Sequence, residues 1–160
     1  MKILDMKKII ISIIALFCLG DSMLFAQVVS KEEMLEFESA MKEMMVDYVN
    51  EINKQTPMRL DEVTTFFKAM YSHPDLHYMY IVDIYKEDCG DSLLDEIKQS
   101  MKEVQLKNRE FLLKEHSKGR CTPRELALFF KQLGFKWVYT YIDLNNEMLF
   151  RFTIDFNDYE

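Results

Sequence analysis

At 160 residues, 49% hydrophobic and 13% aromatic, with four Gly and three Pro, the chain has the material for one packed core and does not read as a disordered sequence. Its net charge is -7 and no basic stripe runs through it, which argues against a nucleic-acid partner. A basic protein or ligand is compatible with that charge.

Residues 1–26 read as a secretory signal peptide, because Lys7 and Lys8 precede the apolar run from Ile9 to Leu19. That run is shorter than the roughly 20 apolar residues of a membrane-spanning helix. Met6 is an alternative start. Cleavage after Ala26 leaves residues 27–160 as a single α+β domain. Two other readings stay open. Cys18 is the one candidate for lipid attachment, although Phe17 precedes it where a small residue is usual. The segment could also remain as an uncleaved anchor. After cleavage two cysteines are left, Cys89 and Cys121. In an oxidising compartment they form one disulfide, closing a loop of about 30 residues, or stand as two separate thiols.

Ser30 and Glu33 make a capping box, and Met34, Phe37, Met41, Met44, Tyr48 and Ile52 follow at spacings of three and four. The spacing predicts an amphipathic helix over about 31–53 that stops before Pro57. Residues 57–64 read as a connector into a first strand, Thr65 to Tyr71. Ser72-His73-Pro74-Asp75 has turn chemistry, and Leu76 to Tyr85 returns as a second strand. Asp91 or Ser92 is then expected to cap a long helix through about Lys118, with Gly119 as its stop. Thr122-Pro123-Arg124-Glu125 is a second capping box with Pro at the first helical position. It opens a short helix ending at Gly134. Phe135 to Phe156 is a β-hairpin, with two aromatic and β-branched runs around the polar turn Leu144-Asn145-Asn146-Glu147.

The order is α-ββ-α-α-ββ. It predicts an α+β fold with an antiparallel sheet of about four strands in two hairpins and helices packed on one face. Tyr78-x-Tyr80 and Tyr139-x-Tyr141 look like a short internal duplication, or like convergence on good strand residues.

The stretch Pro57-Met58-Arg59-Leu60-Asp61-Glu62-Val63-Thr64, the two Tyr-x-Tyr motifs, Asp143 after the second, and Cys121-Thr122-Pro123 together resemble a loose group of small exported bacterial proteins without an assigned activity. The resemblance covers residues 57–158 and implies export, a common α+β domain and no catalytic residues. Such proteins often carry a further Cys near the C-terminus, bonded to the one before Thr-Pro. This chain ends Asn157-Asp158-Tyr159-Glu160 without it, so a bonded Cys121 would here have Cys89 as its partner.

Two constellations could carry chemistry. His73, Asp75 and His77 cluster at the first hairpin turn, where two imidazoles and a carboxylate could take a transition metal, or could simply be solvated. Cys121 or Cys89 could act as a nucleophile with His116 as base, and the nearby helix start would lower the Cys121 thiol pKa. No third catalytic partner, nucleophile elbow, phosphate loop or dinucleotide fingerprint accompanies them. Glu32, Glu33, Glu36, Glu38 and Glu43 read as a solvated helix face.

The aromatic residues point elsewhere. Tyr78, Tyr80, Tyr85, Trp137, Tyr139 and Tyr141 are more than a thin core needs. Left open, they would form a platform for a protein partner or, second, for a glycan. Covered by helices and loops, they would be core. The expectation is an exported, non-enzymatic protein without a cofactor. It would dock another protein through its sheet face or its acidic helix surface, as an inhibitor or immunity protein does. The alternative is a small envelope enzyme or a thiol- or metal-dependent protein using Cys121 with His116, or His73 with His77.

Overall fold

The computed structural model describes residues 31–118 and 122–157. The signal segment, the Ser30 cap, the Gly119 stop and Cys121 lie outside them. The described elements are α1 (Lys31–Asn53), β1 (Met58–Arg59), β2 (Thr64–Ser72), β3 (Asp75–Val82), a 3-10 turn (Lys86–Asp88), α2 (Asp91–Ser117), α3 (Pro123–Gln132), β4 (Lys136–Ile142) and β5 (Met148–Ile154).

The fold is α+β, and both hairpins form as expected, as β2–β3 and β4–β5, although β3 ends at Val82, three residues short of the expected Tyr85. Two features of the sheet differ from expectation. It has five strands in the order β1-β2-β3-β4-β5, because Met58 and Arg59 of the connector pair with Phe66 and Thr65. The central pair, β3 with β4, is parallel. The 27-residue helix α2 lies between those two strands and is roughly 40 Å long at 1.5 Å per residue. A connection of that kind returns the chain to the end where β3 began, so β4 runs alongside β3 in the same direction. The two Tyr-x-Tyr motifs thereby become neighbours, Tyr78 beside Tyr139 and Tyr80 beside Tyr141.

Helix boundaries follow local chemistry. At α3, the Glu125 N–H donates to Thr122 Oγ1 at 3.2 Å and the Thr122 N–H donates to Glu125 Oε2 at 2.7 Å, completing the expected capping box. The helix closes with a Schellman pair, Phe135 N–H to the Phe130 carbonyl and Gly134 N–H to that of Lys131. Gly134 takes φ +64°, which a residue without Cβ adopts without strain. The start of α2 departs from expectation. Gly90 occupies the N-cap position without a side-chain bond, and Asp91 is the first helical residue, where its charge favours the positive end of the helix dipole.

All three helices contribute to one core. Met41, Met45 and Tyr48 of α1, Leu94 and Leu113 of α2, and Leu126, Phe129 and Phe130 of α3 are buried with the aromatic residues of the sheet. Two polar ties lock helices to strands. The Asn53 side-chain amide bonds both backbone groups of Ala69, at 2.9 and 2.8 Å, on the stretch of β2 that β1 is too short to cover. It satisfies an edge that would otherwise expose its ladder. The buried Arg109 of α2 donates to the Asp155 carbonyl and lies 5.8 Å over the Phe156 ring, pinning α2 to the end of β5.

Candidate functional site

Residues paired across a sheet share a face, so the registers divide the strands into two surfaces. On one lie Phe66, Ala69, Leu76, Tyr78, Tyr80, Trp137, Tyr139, Tyr141, Phe150, Phe152 and Ile154. The helices cover this surface. Tyr78, Trp137, Tyr139 and Tyr141 are buried, Tyr80 is half-buried, and only Tyr85, outside the strands, is exposed. Rings continue from strand to strand: Tyr78 to Tyr139 at 5.4 Å, Tyr80 to Tyr141 at 4.9 Å and Tyr139 to Phe152 at 5.2 Å, each stacked. Tyr48 of α1 closes the layer from above, its hydroxyl 3.2 Å from that of Tyr78. Burial raises the pKa of Tyr48, Tyr78, Tyr80 and Tyr139 above the ordinary 10, and raises Tyr141 to about 12. The five residues expected as a binding platform are thus brought together, but as the layer between sheet and helices. Aromatic residues suit a core and an interface equally, so composition could not tell the two apart.

The second surface has no helix over it among the described residues. It carries Thr65, Lys68 and Met70 of β2, His77, Met79 and Ile81 of β3, Val138, Thr140 and Ile142 of β4, and Arg151 and Thr153 of β5. Val138 and Ile142 are buried and lie outside the main core. Around them Met79 and Ile81 are half-buried, and Met70 is 43% exposed. A bulge between Phe66 and Lys68 turns out Phe67, 37% exposed, with the Lys68 ammonium 5.8 Å from its ring.

The expected histidine cluster does not converge. His73 Nδ1 lies 2.8 Å from the Tyr71 hydroxyl at the hairpin tip. His77 sits on the open surface, its Nδ1 3.5 Å from the Arg151 guanidinium. Burial and then the Arg151 charge depress the His77 pKa below the ordinary 6.5. Among the described residues no group of three or more His, Cys, Asp or Glu side chains is placed to hold a metal ion. Cys89 is half-buried against the core just past the 3-10 turn. Its expected bond to Cys121, and the pairing of Cys121 with His116, lie outside the described side chains.

Asp143 is the polar residue whose role the sequence did not disclose. It is 1% exposed, and its carboxylate accepts from the N–H groups of Lys86 at 3.1 Å, Asn145 at 2.8 Å and Glu147 at 2.7 Å. Burial pushes the carboxyl up, but these bonds outweigh it and hold the pKa below the ordinary value. Asp143 therefore ties the β4–β5 turn to the loop after β3, beside the Leu144 N–H to Ile84 carbonyl bond at 3.2 Å. Only the position of Asp143 two residues after Tyr141, within a recurrent Tyr-x-Tyr motif, hinted at this.

No family model and no curated protein matches the sequence. Among solved structures, the chain is similar to one described as a "putative secreted protein" from Pseudomonas aeruginosa. That pair shares 12% identity and a TM-score of 0.48, over 80% of this chain and 96% of the other. It is also similar to the pilotin of the Vibrio vulnificus type 2 secretion system, with 8% identity and a TM-score of 0.46, over 77% of this chain and 94% of that one. Neither identity is high enough to carry an activity across.

Proposed function

We propose that this chain is an exported, non-enzymatic binding protein that docks another protein on the helix-free surface of its sheet. The observation that carries the reading is the apolar centre of that surface. Met70 is exposed and Met79 and Ile81 are half-buried around the buried Val138 and Ile142, while the three described helices all pack on the other surface. Apolar side chains that reach solvent on a sheet face without a helix suit an interaction site. Export rests on the basic and apolar start of the sequence and on the resemblance to small exported bacterial proteins. An inhibitor- or immunity-like role suits the size and the acidity.

The test is crosslinked affinity capture of residues 27–160 from the native cell envelope, with mass spectrometry of the product. The comparison is a Met70→Ser, Met79→Ser variant, whose two side chains are exposed and half-buried respectively. The reading expects one stoichiometric partner that the variant fails to retain while its circular dichroism is unchanged. Equal capture by both proteins, or no partner for either, refutes it.

A further inference from the structure

We infer that the segment seated on this surface is acidic and amphipathic, presenting carboxylates at the edges of its apolar face. The inference rests on the docking reading above and adds the chemistry of the partner. The whole chain is acidic, at -7, yet the open surface gathers cations. Four basic side chains lie on or beside it: Arg59, Lys68, Lys136 and Arg151. Two of them are already neutralised. Arg59 lies 2.7 Å from Asp83 and Lys136 lies 3.5 Å from Asp75. The other two have no carboxylate partner among the described residues. Lys68 stands over Phe67, and Arg151 reaches only the ring nitrogen of His77. These two lie on opposite sides of the apolar centre, on β2 and β5, separated by β3 and β4.

A partner covering Met79, Ile81 and Val138 would strip water from both cations. Removing water from an unpaired charge is costly, so the occupant must bring anions to those two points. Two copies of this chain meeting face to face would set the same cationic patch against itself, which the like charges oppose. A carboxylate landing at Arg151 would also stand beside His77. The groups that face that imidazole are Arg151 from β5, Lys136 from β4 and Asp75 from its own strand, with Met70 opposite on β2. Burial first, and then the two cations, lower its affinity for a proton, and an added carboxylate would act in the opposite direction to the cations.

The experiment uses three synthetic 14-residue amphipathic helical peptides, identical in their Leu positions and carrying Glu, Gln or Lys on the polar face. Binding is followed by the methyl resonances of Met79, Ile81 and Val138, and the His77 pKa is titrated with and without peptide. The expected result is that the Glu peptide binds this surface about tenfold more tightly than the Lys peptide at low salt. The preference shrinks with added salt. The His77 pKa is higher with the Glu peptide than with the Gln peptide, which buries the ring alike, and Lys68→Glu with Arg151→Glu reverses the order. Equal binding of all three peptides to these methyl groups would overturn the acidic partner and leave the docking reading standing. No shift from any peptide would overturn the inference. Combined with unchanged capture by the Met70→Ser, Met79→Ser variant, it would remove the docking reading as well. Concentration-dependent self-association in sedimentation velocity, abolished by the charge reversal, would assign the surface to a second copy and overturn the inference.

Discussion

Replacing Tyr139 by Ala distinguishes a tyrosine layer that holds the fold from one that waits for a ligand. The ring is 7% exposed and stacked between Tyr78 at 5.4 Å and Phe152 at 5.2 Å. A buried aromatic side chain removes roughly 150–250 Å² from water. At about 25 cal/mol/Å² that corresponds to ~4–6 kcal/mol, an upper bound because the unfolded chain already hides part of the area. Aromatic-to-Ala changes in packed cores cost ~3–5 kcal/mol, and we expect that loss here. It is a large share of the ~5–15 kcal/mol that stabilises a typical domain. Tyr139→Phe keeps both stacking partners and serves as the folded control, with a loss under about 1.5 kcal/mol. The assay is urea unfolding followed by fluorescence of Trp137, the single tryptophan, which lies on the same strand. Unchanged m-values would license the comparison. A loss below about 1 kcal/mol for Tyr139→Ala, with m unchanged, would mean that the ring is not locked between its neighbours. The tyrosine layer would then be a surface and the assignment of the two sheet faces would be reversed.

Other expectations concern charge. Asp143→Asn should lower the urea midpoint at neutral pH, because three backbone donors lose their carboxylate. The native pKa of Asp143 is depressed, so its contribution is present above the unfolded value and lost as pH falls through the folded one. The acid limb of stability against pH should therefore flatten in the variant, and an unchanged limb would refute the role. His77 has a depressed native pKa, so the unfolded chain binds its proton first, and stability from this group rises as pH climbs from the folded value towards 6.5. His77→Gln should remove that rise in denaturation curves taken across the window. The raised tyrosine pKa values act at the other extreme. Their contribution is complete below pH 10 and is lost as pH rises towards about 12, the value for Tyr71 and Tyr141. Alkaline titration at 295 nm should show most tyrosinate appearing together with unfolding measured by circular dichroism. Ionisation of these tyrosines near pH 10 in a folded chain would contradict their burial.

Local features were legible without coordinates. The spacing of Met41, Met44, Tyr48 and Ile52 is enough to set a helix, because one face must carry the apolar residues. Thr122, Pro123 and Glu125 specify a helix start through bonds spanning three residues, and Gly134 specifies its end. Ser72 to Asp75 and Asn145-Asn146 mark the two hairpin turns by chemistry that is equally short-range. For the same reason the α+β class and the two hairpins could be read directly from the chain. The added strand β1 could not, since two residues such as Met58 and Arg59 have no periodicity to detect.

What the chain could not announce is which side of the sheet the helices take. Along β3, Tyr78 and Tyr80 point one way while Met79 and Ile81 point the other, and on β4 Tyr139 and Tyr141 oppose Val138 and Ile142. Both alternating sets are apolar, so the period of two that normally separates core from solvent carries no sign here. The sign comes from contacts distant in sequence: Tyr48 reaching Tyr78, Arg109 reaching Asp155, and α2 returning the chain to lay β4 parallel to β3. These contacts bury the tyrosines and leave Met70 exposed, with Met79 and Ile81 half-buried, on the face that carries Lys68 and Arg151.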